Sequence, residues 1–320
     1  MEYAAGEEPG DGGKDLLLIY ETPYDSPFAR LLGGICQDKG LSLLSVCQED
    51  VEAKLEELRA ERRPPRVCLN LAAGAEASLL PVEEWANEHI SNHLNPSERR
   101  RKVWRKTYLH WQFIRSGIDT PYTIPIPSWK RAPHLTAPAG LWRLGVPFSA
   151  KPDLGGGGWE VVTDASLWEH VQEMRRRIVE HDLILQELVE PVVLGGKRAW
   201  FRVLYACGAA VPCWWDDHTH FFGDIVSEEE RLQWGLEPLW RIAQIAAEIA
   251  GLQVFSTEVA LAVGGRFVVV DYVNDPVDLR FRPHALEGMP HEAARILAEA
   301  IAAYLSQPMQ DEINLHDGDG

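Results

Sequence analysis

The sequence predicts an α/β and α+β chain. An N-terminal parallel α/β domain spans residues 14–95, a central lid part 96–190 and a larger C-terminal part 191–306, with tails at 1–13 and 307–320. Three observations carry this expectation. Between Asp15 and Leu94 short apolar runs alternate with helix-period segments, the pattern of parallel strands joined by right-handed helical crossovers. Lys151-Pro152-Asp153-Leu154 runs into four glycines, Gly155, Gly156, Gly157 and Gly158, and then Trp159, between two strand-like segments. Further on, two β-rich runs meet at Gly264-Gly265, a hairpin signature.

In the first domain residues 16–20 read as a buried strand, with Phe28, Leu31, Leu32 and Ile35 as one face of a helix. A strand at 43–46, a helix at 51–60 and a strand at 67–69 follow. No GxGxxG follows the first strand, so this domain is not expected to hold a dinucleotide of its own. A basic helix over 98–116 opens after Asn95-Pro96-Ser97 and is closed by Gly117. Residues 118–127 are extended and punctuated by prolines. Residues 148–152 form a strand entering the glycine run, 159–162 a strand leaving it, 165–180 a helix, and 183–189 a buried strand running into Glu190-Pro191. Strands at 199–205 and 209–215 flank Cys207-Gly208, and one long amphipathic helix over 228–250 ends at Gly251. The hairpin occupies 254–262 and 266–273, and a last helix 292–306. Both tails are acidic and glycine-rich without apolar period, the composition of disorder.

Composition narrows the function classes. Lys and Arg total 31 against 48 Asp and Glu, and the formal charge of −17 opposes nonspecific nucleic-acid binding. No apolar run is long enough to span a bilayer and no basic-then-apolar leader opens the chain. A cytoplasmic protein with no membrane or nucleic-acid partner is therefore expected. Cys36, Cys47, Cys68, Cys207 and Cys213 are odd in number and lack CxxC spacing, which suggests neither a disulfide framework nor a cysteine zinc site. The run from Glu98 to Lys106, ERRRKVWRK, holds six cations in nine residues. It is either a solvated helix face or a source of cations for an anionic ligand.

A lysine ahead of residues without Cβ lets backbone N–H groups approach a polyphosphate while one cation neutralises it. Such a run also serves as a flexible connection. It fits neither the Walker pattern nor the spaced glycines of a dinucleotide fold. In the hairpin, Glu258 sits in FSTEVAL, and Asp271 and Asn274 sit in VVVDYVND. Two carboxylates and an amide on adjacent strands offer the hard oxygen ligands that magnesium takes. Acids among Val, Ala and Leu need partners if buried, whereas an exposed strand face carries them without any.

Taken in order, the glycine run, the strand ending in Gln186-Glu187-Leu188-Val189-Glu190 and the two-acid hairpin resemble the ATP-grasp superfamily, over about residues 15–305. The resemblance implies an ATP-grasp fold, a two-part clamp on ATP after an N-terminal domain, with ATP and magnesium, or manganese in its place, as cofactors. Lys106, opening KTYLHWQFIRSGIDTPYT, is similar to the family's first phosphate lysine and Lys151 to its second, and Gly155 to Gly158 would cover the phosphates. Glu187, Leu188 and Val189 resemble the hinge that reads adenine, with Glu187 toward its amino group and Glu190 toward the ribose hydroxyls. Glu258, Asp271 and Asn274 match the family's metal-binding acid, acid and asparagine. Arg202, in AWFRVLY, resembles the arginine placed near the γ-phosphate or an acyl phosphate, and with Lys151 it is a candidate catalytic residue. A strand-face ion pair is its other reading. Many ligases of the family have Asp at the first acid and Glu-x-Asn at the second, whereas this chain has Glu258 and Asp271-Tyr272-Val273-Asn274. The extra residue predicts a β-bulge that re-aims Asn274.

The implied reaction is ATP-dependent ligation. A substrate carboxylate, on a small molecule or a peptide, becomes an acyl phosphate that an amine co-substrate attacks, releasing ADP and phosphate. The alternatives are an ATP-grasp small-molecule kinase and a Mg-ATP-binding module without turnover. Arg280 and Arg282 follow the metal strand and stand where a substrate carboxylate could meet them. His218 and His220, and the His89/His93 pair at helical spacing, read as surface histidines because neither set has a third ligand. Most of the 12 tryptophans fall at apolar spacings, Trp240 among them, while Trp159 is placed to close on a nucleotide. Homo-oligomerisation through the first domain is compatible with the sequence, though no residue singles it out.

Overall fold

The computed structural model describes residues 13–308 apart from Ala73, Ala75, Gly156 and Gly157. The expected disordered tails, up to residue 12 and from residue 309, and the two central glycines of the loop lie outside the described residues. The chain forms two compact units, one of residues up to Asn92 with those from Ala298, the other His93–Leu297.

The first unit alternates β1 (Leu16–Ile19), α1 (Ser26–Asp38), β2 (Leu43–Val46), α2 (Val51–Ala60), β3 (Val67–Asn70) and α3 (Leu80–His89). β1 runs parallel to both β2 and β3, with Leu16 opposite Leu43 on one side and Val67 on the other. Its four apolar side chains are fully buried, as expected of a parallel strand covered on both faces. Helix α1 buries Phe28, Ala29, Leu32 and Cys36, so its inner face is turned from the expected one and Leu31 and Ile35 are half-buried at its flank.

The second unit opens with β4 (His93–Leu94), α4 (Ser97–Val103) and α5 (Lys106–Arg115). The single basic helix expected over 98–116 is two helices. Arg105 is extended (φ −83°, ψ 107°) and bridges to Leu154, and the Asp153 carboxylate restarts the helix by accepting from the Thr107 N–H and hydroxyl, both at 2.7 Å. Lys106 therefore stands at a helix N-terminus. An antiparallel four-stranded sheet follows in the order β5 (Thr123–Ile126), β8 (Leu183–Glu187), β6 (Phe148–Pro152), β7 (Val162–Ala165), with α6 (Trp168–Arg177) contributing Val171 and Met174 to its core. The strand expected at 159–162 begins only at Val162, because Trp159 and Glu160 lie in a turn with Glu160 at φ 54°. The expected helix 165–180 and strand 183–189 are likewise shorter, at 168–177 and 183–187.

A short hairpin, β9 (Val193–Leu194) and β10 (Lys197–Arg198), leads to an antiparallel five-stranded sheet. Its order is β13 (Phe221–Ile225), β12 (Ala209–Asp216), β11 (Trp200–Ala206), β14 (Val254–Ala262), β15 (Arg266–Asn274). The helix expected over 228–250 is divided into α7 (Glu228–Trp234) and α8 (Pro238–Ala250), since Gly235 closes the first in the left-handed conformation (φ 62°, ψ 41°) and Pro238 opens the second. Leu239, Ile242, Ala243, Ala246 and Ala250 of α8 form the core with Phe201, Val203, Phe255 and Val259, which fill one face of the sheet. Helix α9 (His291–Leu305) ends the described fold. Trp240 is partly buried and packs against the α8 core, with the Arg231 guanidinium 4.9 Å from its ring. No described helix is long and apolar enough to cross a membrane.

Candidate active site

The face of the five-stranded sheet opposite α8 carries the acids. Register partners share a face, and Arg202 lies opposite Glu258, Glu258 opposite Asp271, and Ser256 opposite Asn274. Ser256 and Glu258 are two residues apart while their partners are three apart, so β15 accommodates one extra residue there. Another extra residue falls between Val269 and Asp271. On an unbroken strand Asp271 and Asn274 would point to opposite faces. The bulge predicted from their spacing instead puts Arg202, Glu258, Asp271 and Asn274 on one face.

Arg202 makes the strand-face ion pair that is its other reading. Its Nη1 is 3.4 Å from Glu258 Oε1, its Nε donates to Ser256 Oγ at 3.1 Å, and its guanidinium stacks 4.7 Å over the Trp215 ring with Phe222 at 5.8 Å. Trp200 donates its indole N–H to Glu258 Oε2 at 3.1 Å. Burial pushes the Glu258 carboxyl above its ordinary range, and the Asp271 charge adds to this against the pull of Arg202 and Lys151.

The two lysines approach the same acids. Burial pulls the Lys106 ammonium below its ordinary value and the neighbouring Lys151 charge acts the same way, while Asp271 and Asp153 oppose them. The backbone N–H of Lys106 donates to Asp153 O at 2.9 Å, and its Nζ donates to Gly155 O. Gly155 is at φ 131°, a conformation a side chain would strain. Gly158 follows in a turn, and Gly156 and Gly157 lie outside the described residues. Asp153, 3% exposed, was not singled out from the sequence, although its place two residues after Lys151 was the available signal. By capping α5 it joins the helix that carries Lys106 to the strand that carries Lys151. Trp159 is about half exposed, its ring set edge-on to His181 at 5.2 Å.

At the other end of β8, Glu187 Oε1 accepts the Tyr122 N–H at 2.9 Å, and Glu190 pairs with Arg198 at 2.7 Å. Leu188 and Val189 follow the strand with no regular structure, and Leu188 is exposed. The neighbouring acids are engaged elsewhere, Asp275 with Arg100 and Asn95, and Asp278 with Arg280, which also meets Glu287. Arg282 donates to Gly223 O and lies 3.5 Å from the exposed Asp224. His89 stacks on Trp85 at 4.6 Å, His218 is 4.0 Å from Asp217, and His220 sits edge-on to Trp215. Among the described residues no three His, Cys, Asp or Glu side chains cluster as a metal site.

The donor set fits a hard divalent cation. Among the described residues the Asp271 carboxylate makes no side-chain hydrogen bond, and burial holds its neighbour Glu258 above the ordinary carboxyl range despite Arg202. Two carboxylates and an amide oxygen on one face are ligands for magnesium.

A polar junction lies behind the acids. Tyr272 Oη is 2.8 Å from His110 Nδ1 and accepts from Gln186 Nε2 at 2.8 Å. Gln186 also donates to Thr123 Oγ1 at 3.1 Å, and the Thr123 hydroxyl donates to Pro121 O at 2.9 Å. The phenol can give its proton to His110 Nδ1 or accept one from it, according to the imidazole tautomer. Burial lowers the His110 pKa to about 4. The folded state therefore refuses a proton that the unfolded chain accepts below about pH 6.5, so stability falls with falling pH between those values, by up to about 3 kcal/mol. Urea unfolding of wild type and His110→Gln from pH 7 to pH 4 checks this. The wild type should lose its advantage over the variant across that window, and parallel pH curves would contradict it.

No protein-family model matches the chain, and no curated protein matches it by sequence. Solved structures do match. D-cycloserine synthetase DcsG is 17% identical with a TM-score of 0.60, over 91% of this chain and 99% of that one. The D-alanine–D-alanine ligase of Bacillus anthracis in complex with ATP is 12% identical with a TM-score of 0.55, over 91% and 94%. The ATP-grasp ligase PsnB in complex with a minimal precursor, Mg and ADP is 12% identical with a TM-score of 0.57, over 92% and 99%. The chain has the ATP-grasp fold, shared over nearly its whole length with these ligases.

Proposed function

We propose that the protein is an ATP-dependent ligase that activates a substrate carboxylate as an acyl phosphate for attack by an amine. The observation that carries this reading is one sheet face holding Arg202, Glu258, Asp271 and Asn274, with Lys106 and Lys151 near enough for their charges to act on those acids. The four-stranded sheet with Gly155 and Gly158, within residues 96–190, would be the lid, and the five-stranded sheet, within 191–306, the metal-binding half. Glu187 to Glu190 join them as the adenine-reading segment. Since Glu187 and Glu190 already hold Tyr122 and Arg198 with their side chains, backbone groups are the better readers of adenine there. The neighbours bound to ATP, or to Mg and ADP, agree with such a site.

A carboxylate oxygen of the substrate forms a bond to the γ-phosphorus as the bond to the β–γ bridging oxygen breaks, and ADP leaves. The amine nitrogen then attacks the acyl carbon, phosphate departs with the bonding electron pair, and the amine loses its proton. Lys106, Lys151 and Arg202 would offset the charge spread over the transferring group. Magnesium held by Glu258, Asp271 and Asn274 would supply further charge neutralisation. No side-chain nucleophile is required.

ADP release measured over a panel of amino acids, peptides and other carboxylates, with and without amines, tests the reading. Amine-dependent ADP release that collapses in Lys151→Ala is the expected result. No release with any pair, or a signal unchanged in the variant, would overturn it. A stable phosphoester product would make the protein a kinase, and ATP binding without release a binding module.

A further inference from the structure

Tyr272 follows Asp271 on β15 and points to the opposite face, against Phe113 of α5 at 5.6 Å between ring centroids. It is 2% exposed, and its hydroxyl joins three elements that each carry part of the site. Helix α5 begins with Lys106, one turn before His110. Strand β8 holds Gln186 and ends at Glu187, where the segment Glu187 to Glu190 begins. Strand β15 places Asp271 beside Tyr272. β8 and β15 belong to different sheets. Isolated bridges pair Asp119 with Val268 and Pro191 with Ala262, but both lie toward the Gly264-Gly265 turn, away from the acids. Near the acids, the Gln186–Tyr272–His110 chain is the polar junction among the three elements.

We propose that the Tyr272 hydroxyl is a positioning group that sets the span between the adenine-reading segment and the phosphate-binding and metal-binding groups. This rests on the reading of the site as an ATP site. ATP occupies both ends at once, so its affinity depends on their separation, whereas a fragment that fills one end does not sense it. The logic is that of a linked two-site ligand, whose second contact is gained only when the geometry lets both engage.

Tyr272→Phe removes one oxygen and keeps the ring packed on Phe113. Dissociation constants for Mg-ATP, adenosine and Mg-pyrophosphate, read by ligand-observed NMR, which reaches millimolar binding, test the proposal. Mg-ATP should bind about tenfold more weakly to the variant, a step of 1.4 kcal/mol. Adenosine and pyrophosphate should keep their wild-type affinities. A purely structural role would move all three ligands alike. Gln186→Met, which removes the donor from the other side, should give the same pattern, and it serves as the test should Tyr272→Phe fold poorly. Mg-ATP affinity within twofold of wild type, or equal weakening of all three ligands, would overturn the proposal. If wild type itself binds no Mg-ATP, it is the ligase reading that fails, whereas unchanged Mg-ATP binding in the variants removes only the role of Tyr272.

Discussion

Asp271→Asn is expected to lower ADP release by about 10²–10³-fold while leaving the protein folded, the size of loss seen when one preorganised charge or donor is taken from a transferring group. The substitution is close to isosteric. The bulged backbone is held independently of the side chain, by Thr257 Oγ1 donating to Asp271 O at 3.0 Å. The carboxylate itself makes no hydrogen bond among the described residues, so an amide there orphans nothing. The electrostatic consequences run in opposite directions for folding and for chemistry. Asp271 helps to push the Glu258 carboxyl up, so removing its charge relieves that pressure and leaves stability equal or slightly higher. It also supports the charge on Lys106, which would be held further below its ordinary value in the variant. Initial rates at saturating Mg-ATP, set beside thermal melts of both proteins, separate the two effects. Activity within threefold of wild type would take Asp271 out of the site, and a large fall in melting temperature would make its role structural.

Much of the fold was legible because local pattern and tertiary demand agree. The β1 run is apolar throughout because both of its faces are covered, and the Gly264-Gly265 turn falls where the hairpin turns. The reading fails where the cause is distant or masked. Helix 98–116 breaks at Trp104 and Arg105 because Asp153, far along the chain, caps a second helix. Gly235 and Pro238 stand in plain view, yet the apolar spacing of Leu236 and Leu239 carries the helical period across them. The bulge between Asp271 and Asn274 follows from counting residues. The one before Asp271 does not, since Val268-Val269-Val270 is a uniform run with nothing to mark the extra residue. Gln186, Tyr272 and His110 sit at positions that read as apolar faces, and their polar atoms acquire meaning only when three elements meet. For Glu187 and Glu190 the resemblance implied ligand roles, whereas Tyr122 and Arg198 already engage their carboxylates.

Arg175→Ala costs about 3–5 kcal/mol of folding stability, the range in which broken buried polar networks fall. The three consecutive arginines at the end of α6 look alike in the sequence, yet Arg175 is fully buried while Arg176 and Arg177 are exposed. The reason is its face of the helix, shared with Val171, Met174 and Ile178. No carboxylate among the described residues pairs with it. Its guanidinium instead donates to Pro127 O at 3.0 Å, Gln172 Oε1 at 2.7 Å, Ser128 O at 3.1 Å and Ala132 O, and lies 5.5 Å from the Trp129 ring. A planar fork with five donors can serve several carbonyls at once, which an ammonium cannot. Burial pulls its pKa below the ordinary value, but neutral acceptors on every side keep the charge tolerable. Truncation to Ala leaves the Pro127 carbonyl without its donor, takes one of two donors from the Ser128 and Ala132 carbonyls, which keep the Ala132 and Leu135 N–H groups, and opens a void where the side chain lay. Arg175→Met fills the void but not the bonds, and Arg175→Lys keeps the charge with the wrong geometry, so both should fall between wild type and Ala. Urea unfolding of the four proteins ranks them. A loss under 1 kcal/mol in the Ala variant would mean that water replaces the guanidinium and that the segment does not depend on it. None of the bonding partners of Arg175 belongs to the acid-bearing face, so Mg-ATP affinity of the folded fraction should stay at the wild-type value even as the melting temperature drops.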